Sequence, residues 1–192
     1  MGVILKRVTE PAELAAILAL QSANLARELT AEERLREGFV TAEYSLSFLA
    51  QMHDACPSVI ARDGAEVVGY ALVATQPIRH AHPLLATLFD TIDGVTYQGE
   101  RLAQRAYAVC GQLCVARSHR GQGLAPRLYG TFRDELQGTF DCLLTDVVRA
   151  NTRSIAAHRR AGFEVCSALV YEGHEWDLLI CDWRPEPRPA PP

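Results

Sequence analysis

Lysine is almost absent from this chain: Lys6 is the only one, and arginine supplies the rest of the 19 basic residues. Against 23 acidic residues they leave a formal net charge of -4. That excludes a general nucleic-acid surface, which needs a basic face, so any phosphate must be met by a local arrangement. Long apolar runs are lacking too. None reaches the length of a membrane span, and the first residues do not follow the charged-then-apolar pattern of a secretory leader. No nucleic-acid or membrane partner is expected, and the cytoplasm is the expected compartment. The six cysteines (Cys56, Cys110, Cys114, Cys142, Cys166 and Cys181) contain no C-x-x-C pair and sit mostly in apolar runs, as buried free thiols do in a reducing compartment. Cys110 and Cys114 would share one face of a strand about 13 Å apart, too far for a disulfide. A metal site has no support either: His80 and His82 are a close pair without a third ligand at a familiar spacing.

What is present suits an ordinary globular domain. The 192 residues are 48% apolar and 22% charged, enough to bury a core without disulfides or metals. The domain is expected over 1–184, with the Pro-rich stretch 185–192 disordered. A first strand spans 3–8, and Thr9 is a plausible cap for a helix with Pro11 in its first turn. Leu14, Ile17, Leu18, Gln21 and Leu25 carry helical spacing to about Arg27. Thr30 and Glu33 form a capping box for a short helix that Gly38 stops. Tyr44, Phe48, Leu49 and Met52 mark another helix, ended by Pro57. Strands at 58–62 and 66–75 flank Asp63-Gly64-Ala65, a hairpin signal. A helix around 84–92 and a turn-like stretch at 94–101 follow. Strands are expected at 105–115 and 141–148, and a closing hairpin at 165–172 and 175–183 turns at Gly173-His174. The fold class is α/β: a mixed sheet, antiparallel in its first half, with a strand–helix–strand crossover in its second.

The stretch 113–137 organises the rest. An apolar strand end (Leu113, Cys114, Val115) meets a basic turn (Arg117, Ser118, His119, Arg120). Gly121 and Gly123 follow, and then a helix with Leu124, Leu128, Phe132 and Leu136 on one face. A glycine-rich turn into a helix start offers several backbone N–H groups and a partial positive charge to an anion. It is not a P-loop, because Leu124 and Ala125 stand where Lys and Ser/Thr are needed. Nor is it the dinucleotide fingerprint, since Pro126 takes the slot of the third glycine.

The spacing that fits is Arg-x-x-Gly-x-Ala, at Arg120, Gly123 and Ala125. Residues 151–163 then read Asn-x-x-Ser-x-x-x-His-x-x-x-Gly-Phe, with Asn151, Ser154 and His158 on one helical face. In this order the two motifs resemble the signatures of the GNAT superfamily of N-acetyltransferases, well over 108–183 and by element order alone before that. The resemblance implies a GNAT fold: a mixed central sheet of about seven strands flanked by helices, with two central strands splayed to admit the pantetheine arm. It also implies acetyl-CoA as cosubstrate, with its pyrophosphate on Arg120, Gly121, Gln122, Gly123, Leu124 and Ala125, mainly through backbone N–H groups. Leu113 and Val115 would offer main-chain groups to the pantetheine, and Asn151, Ser154 and His158 complete the cofactor set. Arg117, His119 and Arg127 face the 3′-phosphate or are solvated surface.

The implied reaction is direct attack of an amine on the thioester in a ternary complex. The family usually has Tyr at the acid position, where this chain has His158. An unperturbed histidine, with a pKa of about 6.5, donates a proton at neutral pH only if it starts charged or acts through water. His158 is therefore an acid, a cofactor contact or a helix-packing residue. Asp146 is the leading general base, with Glu100 and Glu175 competing; a cap or loop hydrogen bond is its plainer role. Tyr44, Tyr70, Tyr107, Tyr171 and Trp176 are wall candidates for an acceptor pocket, or packing. The acidic cluster Glu28, Glu32, Glu33 and Glu37 would attract a cationic amine, or is a solvated helix face. The expected function is acetyl transfer to a primary amine of a small molecule or peptide; the alternative is a non-catalytic acyl-CoA sensor. Dimerisation is common in the family, and the closing hairpin 165–183 would support a homodimer here.

Overall fold

The computed structural model describes residues 2–184, so the Pro-rich stretch 185–192 lies outside the described residues. Strand β1 (Ile4–Arg7) leads into α1 (Pro11–Ser22), a 3-10 turn (Ala26–Glu28), α2 (Ala31–Glu37) and α3 (Leu46–Ala55). Strands β2 (Val59–Asp63) and β3 (Glu66–Ala74) form the hairpin, and α4 (Pro83–Gly94) follows. A small separate ribbon comes next, β4 (Thr96–Tyr97) with β5 (Glu100–Arg101). The second half runs β6 (Tyr107–Val115), α5 (Leu124–Leu136), β7 (Cys142–Val148), α6 (Thr152–Arg160), β8 (Glu164–Tyr171) and β9 (His174–Asp182). In space the seven-stranded sheet is ordered β1-β2-β3-β6-β7-β9-β8. Its pairs are antiparallel except β6 with β7, which are parallel and joined by the α5 crossover.

Local boundaries differ from the sequence reading for identifiable reasons. Glu10, not Thr9, caps α1; the Thr9 and Glu10 amides both donate to the Glu13 carboxylate, which draws the chain into the helix one residue later. The helix ends at Ser22 rather than near Arg27, because Leu25 bridges to Val40 and takes the backbone out of helical register. The turn-like stretch 94–101 closes as a ribbon around Gln98-Gly99. The last hairpin turns at Glu172-Gly173, both at positive φ, the geometry a two-residue turn needs to match strand twist.

The sheet is covered on both faces. Ile60, Tyr70 and Leu72 point to the α1, α3 and α4 side, while Val59, Ala71 and Val73 meet α5 on the other. Leu128 and Phe132 of α5 are fully buried, and burying such a side chain stabilises by about 1.5–3 kcal/mol. This anchors the helix whose first turn matters below.

The feature that positions a site is a fork. Parallel pairing of β6 and β7 stops after Val109 opposite Leu144, and Thr145 Oγ1 donates to the Cys110 carbonyl at 2.9 Å as the last link. Gly111 is the extra residue of a bulge against β3, and its carbonyl accepts the Tyr44 hydroxyl at 3.2 Å. Bulges bend a strand and end its pairing. Beyond this point β6 and β7 diverge.

Candidate functional site

The turn from β6 into α5 is held open by its own backbone. Gly121 (φ +77) and Gly123 (φ +71) are left-handed, and a Cβ at either would meet nothing within 4 Å. No amide from Gly121 to Ala125 finds an acceptor among the described residues. Five consecutive unpaired N–H groups at the start of a 13-residue helix make an anion cradle. The Gln122 side chain turns away to donate to the Ser118 carbonyl at 3.2 Å and does not line the cleft. Its amide stays available, the group through which the cradle reading has it act.

In front of this cradle lies a cleft of about 470 Å³, walled by the end of β6, the first turn of α5, α6 and the segment 37–40. Leu113, Val115, Arg120, Gly121, Gly123, Leu124, Ala125, Asn151, Ser154 and His158 all line it. Several of their polar groups already have work. The Arg120 guanidinium holds Glu37 (3.0 Å), Asn24 (2.5 Å) and the Val115 carbonyl (3.0 Å). Hydrogen bonds from Arg120 foremost, and from Arg36, hold the Glu37 carboxyl below its usual range. Asn151 accepts the Ser154 amide at 3.2 Å as the cap of α6 and donates to the Phe39 carbonyl at 2.9 Å. Arg120 and Asn151 therefore strap segment 37–40 across the cleft rather than reaching into it.

The free cations here are ones the sequence reading missed. Arg153 and Arg160 line the cleft from one face of α6 and have no ion-pair partner among the described residues. Their spacing around Ala157 (i, i+4, i+7) was the available signal. His119 lines the cleft, but Arg117 pairs with Glu33 and Arg127 donates to the Val3 carbonyl.

His158 is 5% exposed. Its Nδ1 lies 2.8 Å from the Ser154 carbonyl, which only accepts, so Nδ1 carries the proton. Nε2 is then bare and accepts the Tyr129 hydroxyl at 2.7 Å. Burial pushes the imidazole below its ordinary pKa and the Tyr129 phenol well above its own. A neutral ring with no proton on Nε2 is not a general acid, which corrects that role. The proton-bearing group of the pair is Tyr129, from α5, and the pair is unreadable in sequence because 29 positions separate its members.

Where the strands part, a neck of about 60 Å³ continues the cleft; the two share Phe39, Val40, Leu113, Asn151, Ser154 and His158. Asp146 lines the neck, and its Oδ2 is sealed from solvent without a hydrogen-bond partner, although the residue as a whole is partly exposed. Desolvation raises its pKa to about 7, so near neutrality it is about half ionised. Glu100 and Glu175 are elsewhere, bound to Arg105 and Arg184 and to Arg149. The neck opens on a chamber of about 330 Å³ whose wall includes Tyr171 and Trp176. Tyr44, Tyr70 and Tyr107 are core. Of the acidic cluster, Glu28, Glu33 and Glu37 are spent on arginines.

A family model described as the acetyltransferase (GNAT) family matches residues 23–163. No curated protein matches the chain in sequence. Among solved structures, the NatC complex bound to Gag peptide and CoA aligns at TM-score 0.66 and 15% identity, covering 96% of this chain and 100% of that one. The yncA protein of Salmonella typhimurium, solved with its cofactor acetyl-CoA, aligns at 0.63 and 17%, covering 98% of each chain. A ribosomal-protein-alanine N-acetyltransferase from Brucella melitensis aligns at 0.59 and 21%, covering 93% and 99%. At these identities the likeness is one of fold.

Proposed function

The chain belongs to the acetyltransferase (GNAT) family, and on that footing we propose that it moves the acetyl group of acetyl-CoA to a primary amine of a small molecule or peptide. One observation carries this reading: a cleft ending in five unpaired amides runs into a neck holding a carboxylate whose Oδ2 has no partner. The amides of 121–125 and the α5 dipole would hold a pyrophosphate, and Arg153 and Arg160 a further phosphate. Acetyl-CoA, when bound, supplies an acyl carbon whose bond to sulfur breaks as the bond to nitrogen forms. Asp146 Oδ2 takes the proton the amine gives up, which its raised pKa suits at neutral pH. That proton leaves to water, and water supplies the one the sulfur gains. Tyr129 and His158 fix the wall between cleft and neck.

The test is calorimetric titration with acetyl-CoA of the unmodified protein and of Gly123→Glu, followed by an amine panel read as CoA release. A carboxylate and a Cβ at a φ of +71 should weaken binding by at least about a hundredfold. Binding without CoA release across a broad panel would replace the transferase with the sensor reading. No binding by the unmodified protein would remove both.

A further inference from the structure

Two residues that line the same small neck each carry a buried polar atom without a partner. One atom is the Asp146 Oδ2 acceptor; the other is the Trp176 Nε1 donor. Trp176 is 5% exposed and reaches from the neck into the outer chamber. Asp146 and Val148 share a face of β7 two residues apart, and Trp176 stands opposite Val148 on β9. Trp176 is therefore the diagonal neighbour of Asp146, with Cβ atoms about 7 Å apart, a span that an indole bridges. Neither atom satisfies the other, nor does any other group satisfy them.

We infer that the acceptor is an α-amino amide, whose amine meets Asp146 and whose adjacent carbonyl oxygen accepts from Trp176. This rests on the transferase reading above. In an N–Cα–C=O unit the nitrogen and oxygen lie about 3 Å apart, so one small group offers an amine and an acceptor side by side, and a neck of about 60 Å³ has room for little more. A plain alkylamine would leave the indole N–H unpaired, and a polyamine brings only donors. A free amino acid fits poorly for a separate reason. No Arg or Lys lines the neck or the chamber, while Glu172 does, so an α-carboxylate would enter without a counter-ion. The amide carbonyl is neutral and is tolerated. The rest of the acceptor extends into the chamber beside Tyr171, His82 and His174. The reaction joins the amine nitrogen to the acetyl carbon and releases the thiol of CoA, with no other reactant.

The test compares alaninamide, alanine and isopropylamine at equal concentrations of free amine, with acetyl-CoA and CoA release as readout. The unmodified protein should favour alaninamide over each of the others by at least about tenfold in kcat/KM. In Trp176→Phe the fall should be about tenfold greater for alaninamide than for isopropylamine; the ratio within each amine cancels its own basicity. An acetyl-CoA titration of the variant shows that its cofactor cleft is intact. If the variant does not fold, calorimetry of the three amines against the CoA-bound unmodified protein gives the same ranking. Equal use of isopropylamine or alanine, equal losses for both amines in the variant, or no acetylation of alaninamide overturns the inference. Failure to bind acetyl-CoA instead overturns the transferase reading beneath it.

Discussion

The two halves of the site are built from different material. The cofactor half is made of backbone: amides 121–125 and the N-terminus of α5, open to solvent and unpaired because the local conformation points them outward. The neck is made of side chains: Asp146 and Trp176, each with a buried polar atom that no partner satisfies, beside the point where β6 and β7 part. A backbone cradle tolerates many side chains and fails only when its conformation or charge changes. A side-chain neck has no such tolerance. If the comparison holds, substitutions in the cradle alter cofactor affinity and spare the chemistry, and substitutions in the neck do the reverse.

The sharpest way to break it is Asp146→Asn. Losing a general base typically costs 10²–10⁴ in rate, so kcat should fall by at least about a hundredfold while acetyl-CoA affinity, by calorimetry, stays within about twofold. An equal loss of cofactor affinity would show that the two halves are not separable. In the unmodified protein, kcat/KM should rise with pH through about 7 as Asp146 ionises. The groups nearest to it do not interfere, since burial raises the Tyr44 phenol and pushes the Cys110 thiol up to about 12, leaving both neutral.

The same carboxyl links the neck to stability. Its folded pKa of about 7 exceeds the ordinary 3.8, so between these values the native state holds more protons than the unfolded one. Stability from this group is full below about pH 4 and is lost as pH rises to about 7. Asp146→Asn should therefore stabilise the protein at pH 8, by something on the order of 4 kcal/mol, and leave it unchanged at pH 4. Thermal melts at the two pH values decide it. On the cradle side, replacing both Arg153 and Arg160 by Ala should weaken acetyl-CoA binding by about five- to tenfold, less at high salt, without altering kcat.

This division also explains what could be read in advance. The seven-stranded mixed sheet, the crossover and the glycine-rich turn follow from local patterns: the β-rich run 66–75 behind a hairpin turn, the helical face of Leu124, Leu128, Phe132 and Leu136, and two glycines before a helix start. The cradle was legible because it is sequence-local. The roles of side chains were not, because they depend on partners far along the chain. Arg120 spends itself on Glu37 and Asn24, 83 and 96 positions away, and Tyr129 reaches His158 from another helix. Asp146 could be singled out as a carboxylate at a strand end. The lack of any partner for its Oδ2, which gives it its chemistry, exists only in three dimensions.

The smallest expected effect concerns the wall that both halves share. Asn151 lines cleft and neck alike, and its two ends do different things: Oδ1 caps α6, and Nδ2 holds the Phe39 carbonyl across the cleft. Asn151→Ala loses both and should cost about 1 kcal/mol of stability, the usual price of a cap. Asn151→Asp keeps an oxygen for the cap, and its charge suits a helix N-terminus, but it turns a carboxylate toward the Phe39 carbonyl. Stability should then change little, while the strap over segment 37–40 loosens. One lost hydrogen bond corresponds to about a two- to fivefold faster release of acetyl-CoA, measurable by stopped-flow displacement. If Asn151→Asp releases the cofactor at the unmodified rate, the strap is only a structural tie, and the cradle alone sets residence time. If release quickens and kcat for the amine falls with it, the backbone half and the side-chain half are coupled through this one residue.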